Sequence, residues 1–471
     1  MNNDTIAGIA SGMGGGGIGI IRVSGKDALK KVDEIFFSKS YVENNQNMDF
    51  SQWKSKRLQQ GESHKVFYGY IVENKEIIDE VIVLSMKAPR SYTMEDVVEI
   101  DCHGGAFVLR KILEILTKHG VRMAEPGEFT KRAFLNGRID LSQAEAVMDV
   151  IKANNEYALK SSVSQLHGSI SKKIRELREI ILKDVAFIEA ALDDPEHYSL
   201  DGFDDELKNR IEDIYHKLKK LYDSSDNGRI LTEGISTLIV GKPNAGKSSL
   251  MNMMLGHNRA IVTDVAGTTR DTLEEVVSLD GMILKIIDSA GIRDTEDIVE
   301  KMGVDKTIEN VDKVDFIIFV VDGSIPLSAD DLRIFQLIEG KNGVVVLNKN
   351  DLPQNVDKHD LREKTNLDIL DFSTKNEDDL SKLVQYIKTK FYNEDIGFNQ
   401  QLYITSVRHK EAISQSMQSL SKVLESIEMG MSEDFYTIDL MEAYEKLGTI
   451  IGETVEDDLV DKIFKEFCMG K

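Results

Sequence analysis

The chain has 471 residues, 41% hydrophobic and 30% charged, which suits roughly two to four domains with sizeable cores and excludes wholesale disorder. Its 81 acidic and 58 basic side chains leave a net charge of -23, which repels a phosphate backbone and argues against broad nucleic-acid binding by this chain alone. Two cysteines, Cys102 and Cys468, exclude a disulfide framework and a Cys-rich zinc site.

The opening MNNDTIAGIASG carries no basic region and no long apolar stretch, so neither a signal peptide nor a transit peptide is expected. The longest strongly apolar runs, such as Phe316 to Val321, have strand length and cannot span a bilayer. The expected compartment is the reducing cytoplasm, with no membrane contact.

Three textures follow. In residues 1–137, GIGIIRVSG, VFYGYIV, DEVIVLSM and DVVEIDCHGG alternate with glycine turns and one helical stretch near Phe107 to His119, which reads as an α+β domain. From about Asp140 the pattern becomes helical, with Ile174, Leu177, Ile181, Val185 and Ile188 forming an apolar stripe at spacings of three and four. DNGRILTEG, residues 226–234, is expected to break that helix. Apolar strands then alternate with helices from Ile235 to about Tyr392, including an Asp280-Gly281 hairpin, and helix resumes from about Ser406. The expected architecture is multidomain: an α+β domain over 1–137, an all-α domain in two parts over 138–228 and 394–471, and an α/β domain over 229–393 inserted between them.

Gly241-Lys-Pro-Asn-Ala-Gly-Lys-Ser248 matches G-x-x-x-x-G-K-[ST] between an apolar strand and a helix-like run. Its glycines allow backbone N–H groups to curl around an anion, and the helix N-terminus adds its dipole. Lys247 would reach the β- and γ-phosphates, and the Ser248 hydroxyl would ligate Mg²⁺. Asp288-Ser-Ala-Gly291 ends a strand, where its carboxylate can hold the Mg²⁺ shell and a Gly N–H can meet the γ-phosphate. Thr269 lies between these motifs, where a switch threonine closes over Mg²⁺.

Asn348-Lys-Asn-Asp351 follows a buried-looking strand. An Asp carboxylate there accepts from guanine N1 and N2, a donor pair that adenine lacks. Ser373-Thr374-Lys375 suits the last base-contacting loop. Five motifs in order predict a P-loop GTPase domain. The glutamine that many small GTPases place after Asp-x-x-Gly is replaced by Ile292, so hydrolysis is either vestigial or served by Asp294, Glu296, Asp297 or Glu300. Gly12, Gly14 and Gly17 match G-x-G-x-x-G, but a strand follows where a dinucleotide fold needs a helix.

Over essentially its whole length the chain resembles the MnmE (TrmE) family of tRNA uridine-modification GTPases. The resemblance is carried by DTIAGIA, GIGIIRVSG, Tyr92-Thr-Met-Glu-Asp96, His103-Gly-Gly105, Pro126-Gly-Glu-Phe129, Arg132-Ala-Phe-Leu-Asn-Gly137, Asp140-Leu-x-Gln-Ala-Glu145, Gly267-Thr-Thr-Arg-Asp271 and Cys468-Met-Gly-Lys471. It implies an N-terminal tetrahydrofolate-binding and dimerisation domain, a helical domain and an inserted GTPase domain.

The resemblance also implies a potassium site at Asn244, Thr263, Val265 and Thr268, with K⁺ standing where other GTPases place an arginine finger, and Glu300 as the water-positioning acid. Nucleotide contacts are then expected at Asn244, Ala245, Gly246, Lys247, Ser248 and Ser249; at Thr263, Asp264, Val265, Ala266, Gly267, Thr268 and Thr269; and at Asp288, Ser289, Ala290 and Gly291. The base contacts are Asn348, Lys349, Asp351, Ser373, Thr374 and Lys375.

For a reduced folate such as 5,10-methylenetetrahydrofolate, the family's contacts fall on Arg22, Glu99, Arg138 (where many members carry Lys) and Lys471. The terminal Cys468 is the second candidate catalytic group beside Glu300. The implied function is GTP hydrolysis coupled, with the flavoprotein MnmG (GidA), to adding an aminomethyl or carboxymethylaminomethyl group at C5 of the wobble uridine of certain tRNAs. A homodimer is implied, with tRNA held mostly by the partner. Two rivals are a ribosome-assembly factor, which lacks an RNA-binding module here, and a nucleotide-sensing scaffold, motivated by Ile292.

Overall fold

The computed structural model describes residues 4–12, 16–45, 47–257, 275–287, 311, 314–391, 403–453, 457–465, 467 and 470. In the N-terminal part, strands β1 (Ile6–Ile9), β2 (Ile18–Ser24), β3 (Phe36–Ser38), β4 (Lys65–Glu73), β5 (Glu76–Met86), β6 (Val97–His103) and β7 (Arg122–Met123) form one sheet. Their order is β3-β4-β5-β6-β2-β1-β7, antiparallel except for the β1–β7 pair. The alternation in β6 explains the layering. Val98, Ile100 and Cys102 are buried, and the helix Ala106–Lys118 covers that face with Leu109, Ile112 and Leu116. Glu99, Asp101 and His103 point to the other face, where Glu99 stands directly opposite Arg22 of β2. The loop carrying Gly12 and Gly17 joins antiparallel neighbours β1 and β2, so no helix follows it.

The Asp140-Leu-x-Gln string is a helix start. Asp140 Oδ1 accepts from the Gln143 N–H at 3.1 Å, and Gln143 Oε1 accepts from the Asp140 N–H at 3.0 Å, a reciprocal cap on the helix Leu141–Lys152. The stripe from Ile174 to Ile188 is buried on the helix Ser169–Asp193, which packs against Glu433–Ile451.

The expected break at 226–234 does not occur. The helix Phe203–Glu233 runs through Gly228 and stops at Gly234, whose φ is +91°. A glycine inside a helix costs about 1 kcal/mol, but packing overrides that propensity here. A Cβ at Gly228 would lie 2.3 Å from the Ile404 carbonyl oxygen, so the residue permits close approach of another backbone rather than a bend.

The chain divides into two compact units: Met1–Lys152 with Ser162–Ile214 and Ala412–Lys471, and Ala153–Ser161 with Tyr215–Glu411. The second holds a sheet of β8 (Ile235–Val240), β9 (Glu275–Leu279), β10 (Met282–Ile287), β11 (Phe316–Asp322), β12 (Gly343–Asn348) and β13 (Asp368–Asp371). The order is β13-β12-β11-β8-β10-β9, and only β9 runs antiparallel. Asp280 and Gly281, at φ +48° and +80°, close the predicted β9–β10 hairpin. β11 and β12 are buried throughout and lie centrally, so the residues that follow β8, β11 and β12 gather at one sheet edge. Among the described residues, no helix is long and apolar enough to cross a membrane.

Candidate functional site

The loop after β8 has the backbone an anion cradle requires. Asn244 sits at φ +61° and Gly246 at +109°, left-handed conformations that Asn tolerates and Gly supplies freely. At Gly246 a Cβ would fall 2.0 Å from Asn348 Nδ2, so no other residue fits. The helix Lys247–His257 starts at the loop's end and directs its first N–H groups back into it. Lys247 Nζ donates to the carbonyls of Gly241 at 2.6 Å and Lys242 at 2.9 Å, and burial holds its pKa below the ordinary lysine value. These features fit a polyphosphate, with Lys247 as its principal cation and the Ser248 hydroxyl able to hold Mg²⁺.

The end of β12 is joined to this loop. Asn348 is buried; its Nδ2 donates to the Ala245 carbonyl at 2.7 Å, and its Oδ1 accepts from the Thr374 N–H at 3.3 Å. Asp351 accepts from Lys375 Nζ at 2.6 Å and from Ser373 Oγ at 2.9 Å, one on each oxygen, and these bonds lower its pKa. The carboxylate is thus ionised and held in place, as acceptance from a guanine edge requires. Lys349, at φ +65°, donates to Asp322 Oδ2 at 2.6 Å. Burial alone would raise Asp322, but Lys349 and Ser324 outweigh it and keep the carboxylate below its ordinary range. The structure therefore brings Asn244 to Ser249, Asn348, Lys349, Asp351 and Ser373 to Lys375 into one neighbourhood. The contacts expected at 263–269 and 288–291, and Glu300, lie outside the described residues.

A second constellation lies on the face of the N-terminal sheet opposite the helix Ala106–Lys118. Arg22 Nε and Nη2 both lie 2.8 Å from Glu99 Oε1. The Arg22 guanidinium stands 5.2 Å from the Tyr92 ring centroid, and that of Arg138 stands 4.7 Å from it. Arg138 also donates to the Tyr92 carbonyl at 3.2 Å, and the Tyr92 hydroxyl lies 2.9 Å from Thr130 Oγ1. Arg22 and Arg138 thus both stand against one aromatic ring, with Glu99 held by Arg22, which suits a flat heterocycle carrying an acidic tail. Arg22 Nη1 donates to the Gly470 carbonyl at 3.5 Å, while Cys468 and Lys471 lie outside the described residues. Beneath this face, burial and then the Asp79 charge push the Cys102 thiol up to about 11, so it is no nucleophile.

Sequence reasoning assigned no role to Tyr92, Asp322, Lys242 or Asp331. Asp322 had a signal, the carboxylate ending an otherwise apolar strand, and Ser328-x-x-Asp331 is a helix-capping pattern. Tyr92 had none, because its two cationic neighbours lie far from it in sequence.

Residues 5–138 match the family model described as the N-terminus of the GTP-binding protein TrmE, and residues 141–468 match the MnmE helical domain. Three proteins named tRNA modification GTPase MnmE resemble the chain throughout. That of Lachnoclostridium phytofermentans is 53% identical over 100% of both chains. That of Clostridioides difficile is 47% identical over 100% of this chain and 99% of its own. That of Thermoanaerobacter pseudethanolicus is 45% identical over 99% of each.

Proposed function

Because this chain belongs to the MnmE (TrmE) family of tRNA-modification GTPases, we propose that it is a potassium-dependent GTP hydrolase of wobble-uridine modification. With the flavoprotein MnmG it adds an aminomethyl or carboxymethylaminomethyl group at C5 of uridine 34 in certain tRNAs, the methylene carbon coming from a reduced folate and the nitrogen from ammonium or glycine respectively. The observation that carries the GTP reading is the Asn348–Ala245 bond at 2.7 Å, which ties the guanine-reading strand end to the phosphate loop.

In this reading residues 229–393 bind GTP. Lys247 holds the phosphates, Ser248 and Thr269 hold Mg²⁺, and Asp351 accepts from the guanine edge. Asn244, Thr263, Val265 and Thr268 hold K⁺, which supplies positive charge where phosphate charge develops, and Glu300 positions the water. Residues 1–137 dimerise and bind the reduced folate through Arg22, Glu99, Arg138 and Lys471, and Cys468 is the second candidate catalytic group. The helical residues 138–228 and 394–471 carry the inserted GTPase domain. With a net charge of -23, the chain leaves most of the tRNA backbone to its cytoplasmic partner.

The decisive experiment combines the purified chain, flavin-loaded MnmG, GTP, Mg²⁺, KCl, methylenetetrahydrofolate, ammonium or glycine as the nitrogen donor, and undermodified tRNA, followed by nucleoside analysis. A modified wobble uridine that requires every component is expected. Full modification without this chain or without GTP would overturn the proposal.

A further inference from the structure

We propose that Asp331 is a positioning residue for the phosphate loop. Acting through Lys242, it fixes the peptide carbonyl on which Lys247 rests and so sets how long a nucleotide stays bound. The inference rests on nucleotide binding at this loop, as proposed above.

Lys242 is the second residue of the loop, and it points two ways. Its carbonyl accepts from Lys247 Nζ at 2.9 Å and from the Ala245 N–H at 3.3 Å, so one oxygen serves both the loop's turn and its cation. Its side chain ends on Asp331 Oδ2 at 2.8 Å, with Lys242 10% and Asp331 0% exposed. A free ammonium at this position would be drawn toward bound phosphates. Here it is neutralised by a buried carboxylate, and Lys242 acts as a strut.

Asp331 is held on its own side. Its Oδ2 also accepts from the Ser328 N–H at 2.8 Å and Ser328 Oγ at 2.7 Å, within the capping box of the helix Ala329–Leu337. The helix N-terminus favours the negative charge. Burial raises the pKa of Asp331, but Lys242 and Ser328 outweigh it, so the group stays ionised. Its other oxygen is buried without a hydrogen-bond partner among the described residues, so the charge is met at Oδ2, where Lys242 is its paired cation. Loss of either member leaves the other buried beside the loop without its counter-ion, and the carbonyl beneath Lys247 loses its fixed position.

The test measures release of a fluorescent N-methylanthraniloyl-GDP from the full chain by stopped flow. Asp331→Asn and Lys242→Met should each speed release roughly tenfold, and the double variant should be no faster than the worse single one, since both break one contact. Lys242→Arg, which keeps a cation on Asp331, should stay near wild type. The gain in melting temperature on adding GDP should shrink in the two broken variants, which a purely structural ion pair would not cause. Should Asp331→Asn fail to fold, Lys242→Met alone decides the matter. Release rates within twofold of wild type in Lys242→Met, or an Arg variant as fast as the Met variant, would overturn the inference. No binding by the wild-type chain would instead overturn the nucleotide reading itself.

Discussion

Asn348 Nδ2 donates to the main-chain carbonyl of Ala245 at 2.7 Å, so one buried side chain ties the end of β12 to the phosphate loop. The two segments are about a hundred residues apart in sequence, and Gly246 leaves the space this bond needs, since a Cβ there would lie 2.0 Å from Nδ2.

Asn348→Ala should therefore weaken GDP binding more than loss of one exposed contact would. It leaves the buried Ala245 carbonyl and the half-buried Thr374 N–H unpaired, a cost of about 1–3 kcal/mol. A dissociation constant raised by roughly five- to 150-fold is expected by titration calorimetry. An unchanged constant would remove Asn348 from the site's framework.

Asp351→Asn should weaken GTP binding and admit xanthosine triphosphate, because the amide presents a donor that suits an oxygen at C2 of the base. Competition between the two nucleotides measures this directly. Retained preference for GTP would exclude Asp351 from base recognition.

Turnover of GTP should be much faster in KCl than in NaCl at equal ionic strength. Asn244→Ala should abolish that difference with binding largely intact, since Lys247 and the loop backbone still hold the phosphates. Glu300→Ala should cut turnover in KCl without weakening binding, as fits a group that acts on the water alone. Equal wild-type rates in both salts would rule out the potassium mechanism.

Arg22→Ala and Glu99→Ala should each weaken a reduced folate by about 1–3 kcal/mol, the loss of one charged hydrogen bond. The two bond each other at 2.8 Å, so the double variant should lose less than the sum. Calorimetric titration of the intact protein decides, and full affinity in both single variants would leave these residues a structural role only.

Cys102 should resist thiol reagents at pH 8 in a Cys468→Ser background and react fully once the chain is denatured. Its thiol is pushed up from 9.0 to about 11, chiefly by burial. The folded chain keeps this proton to higher pH than the unfolded chain does. The corresponding stability is therefore present below the unfolded value and is lost as pH rises toward about 11. Rapid native labelling at pH 8 would contradict the burial of Cys102.

Whatever is local or periodic can be read directly from the order of residues. The phosphate loop is legible because its glycines and lysine are contiguous, and the apolar stripe from Ile174 to Ile188 because a helix repeats every 3.6 residues. The Asp280-Gly281 hairpin is legible because few residue pairs accept two successive positive φ angles. Tertiary structure alone decided what depends on distant chain segments. Gly228 reads as a helix breaker until the Ile404 carbonyl is seen to pack against it. Tyr92 acquires meaning only when the register of β2 and the turn after Leu135 bring Arg22 and Arg138 to its ring. Lys242 and Asp331 are ordinary charged residues in sequence, and burial turns them into a strut, because a charge removed from water must be met by another within hydrogen-bond reach.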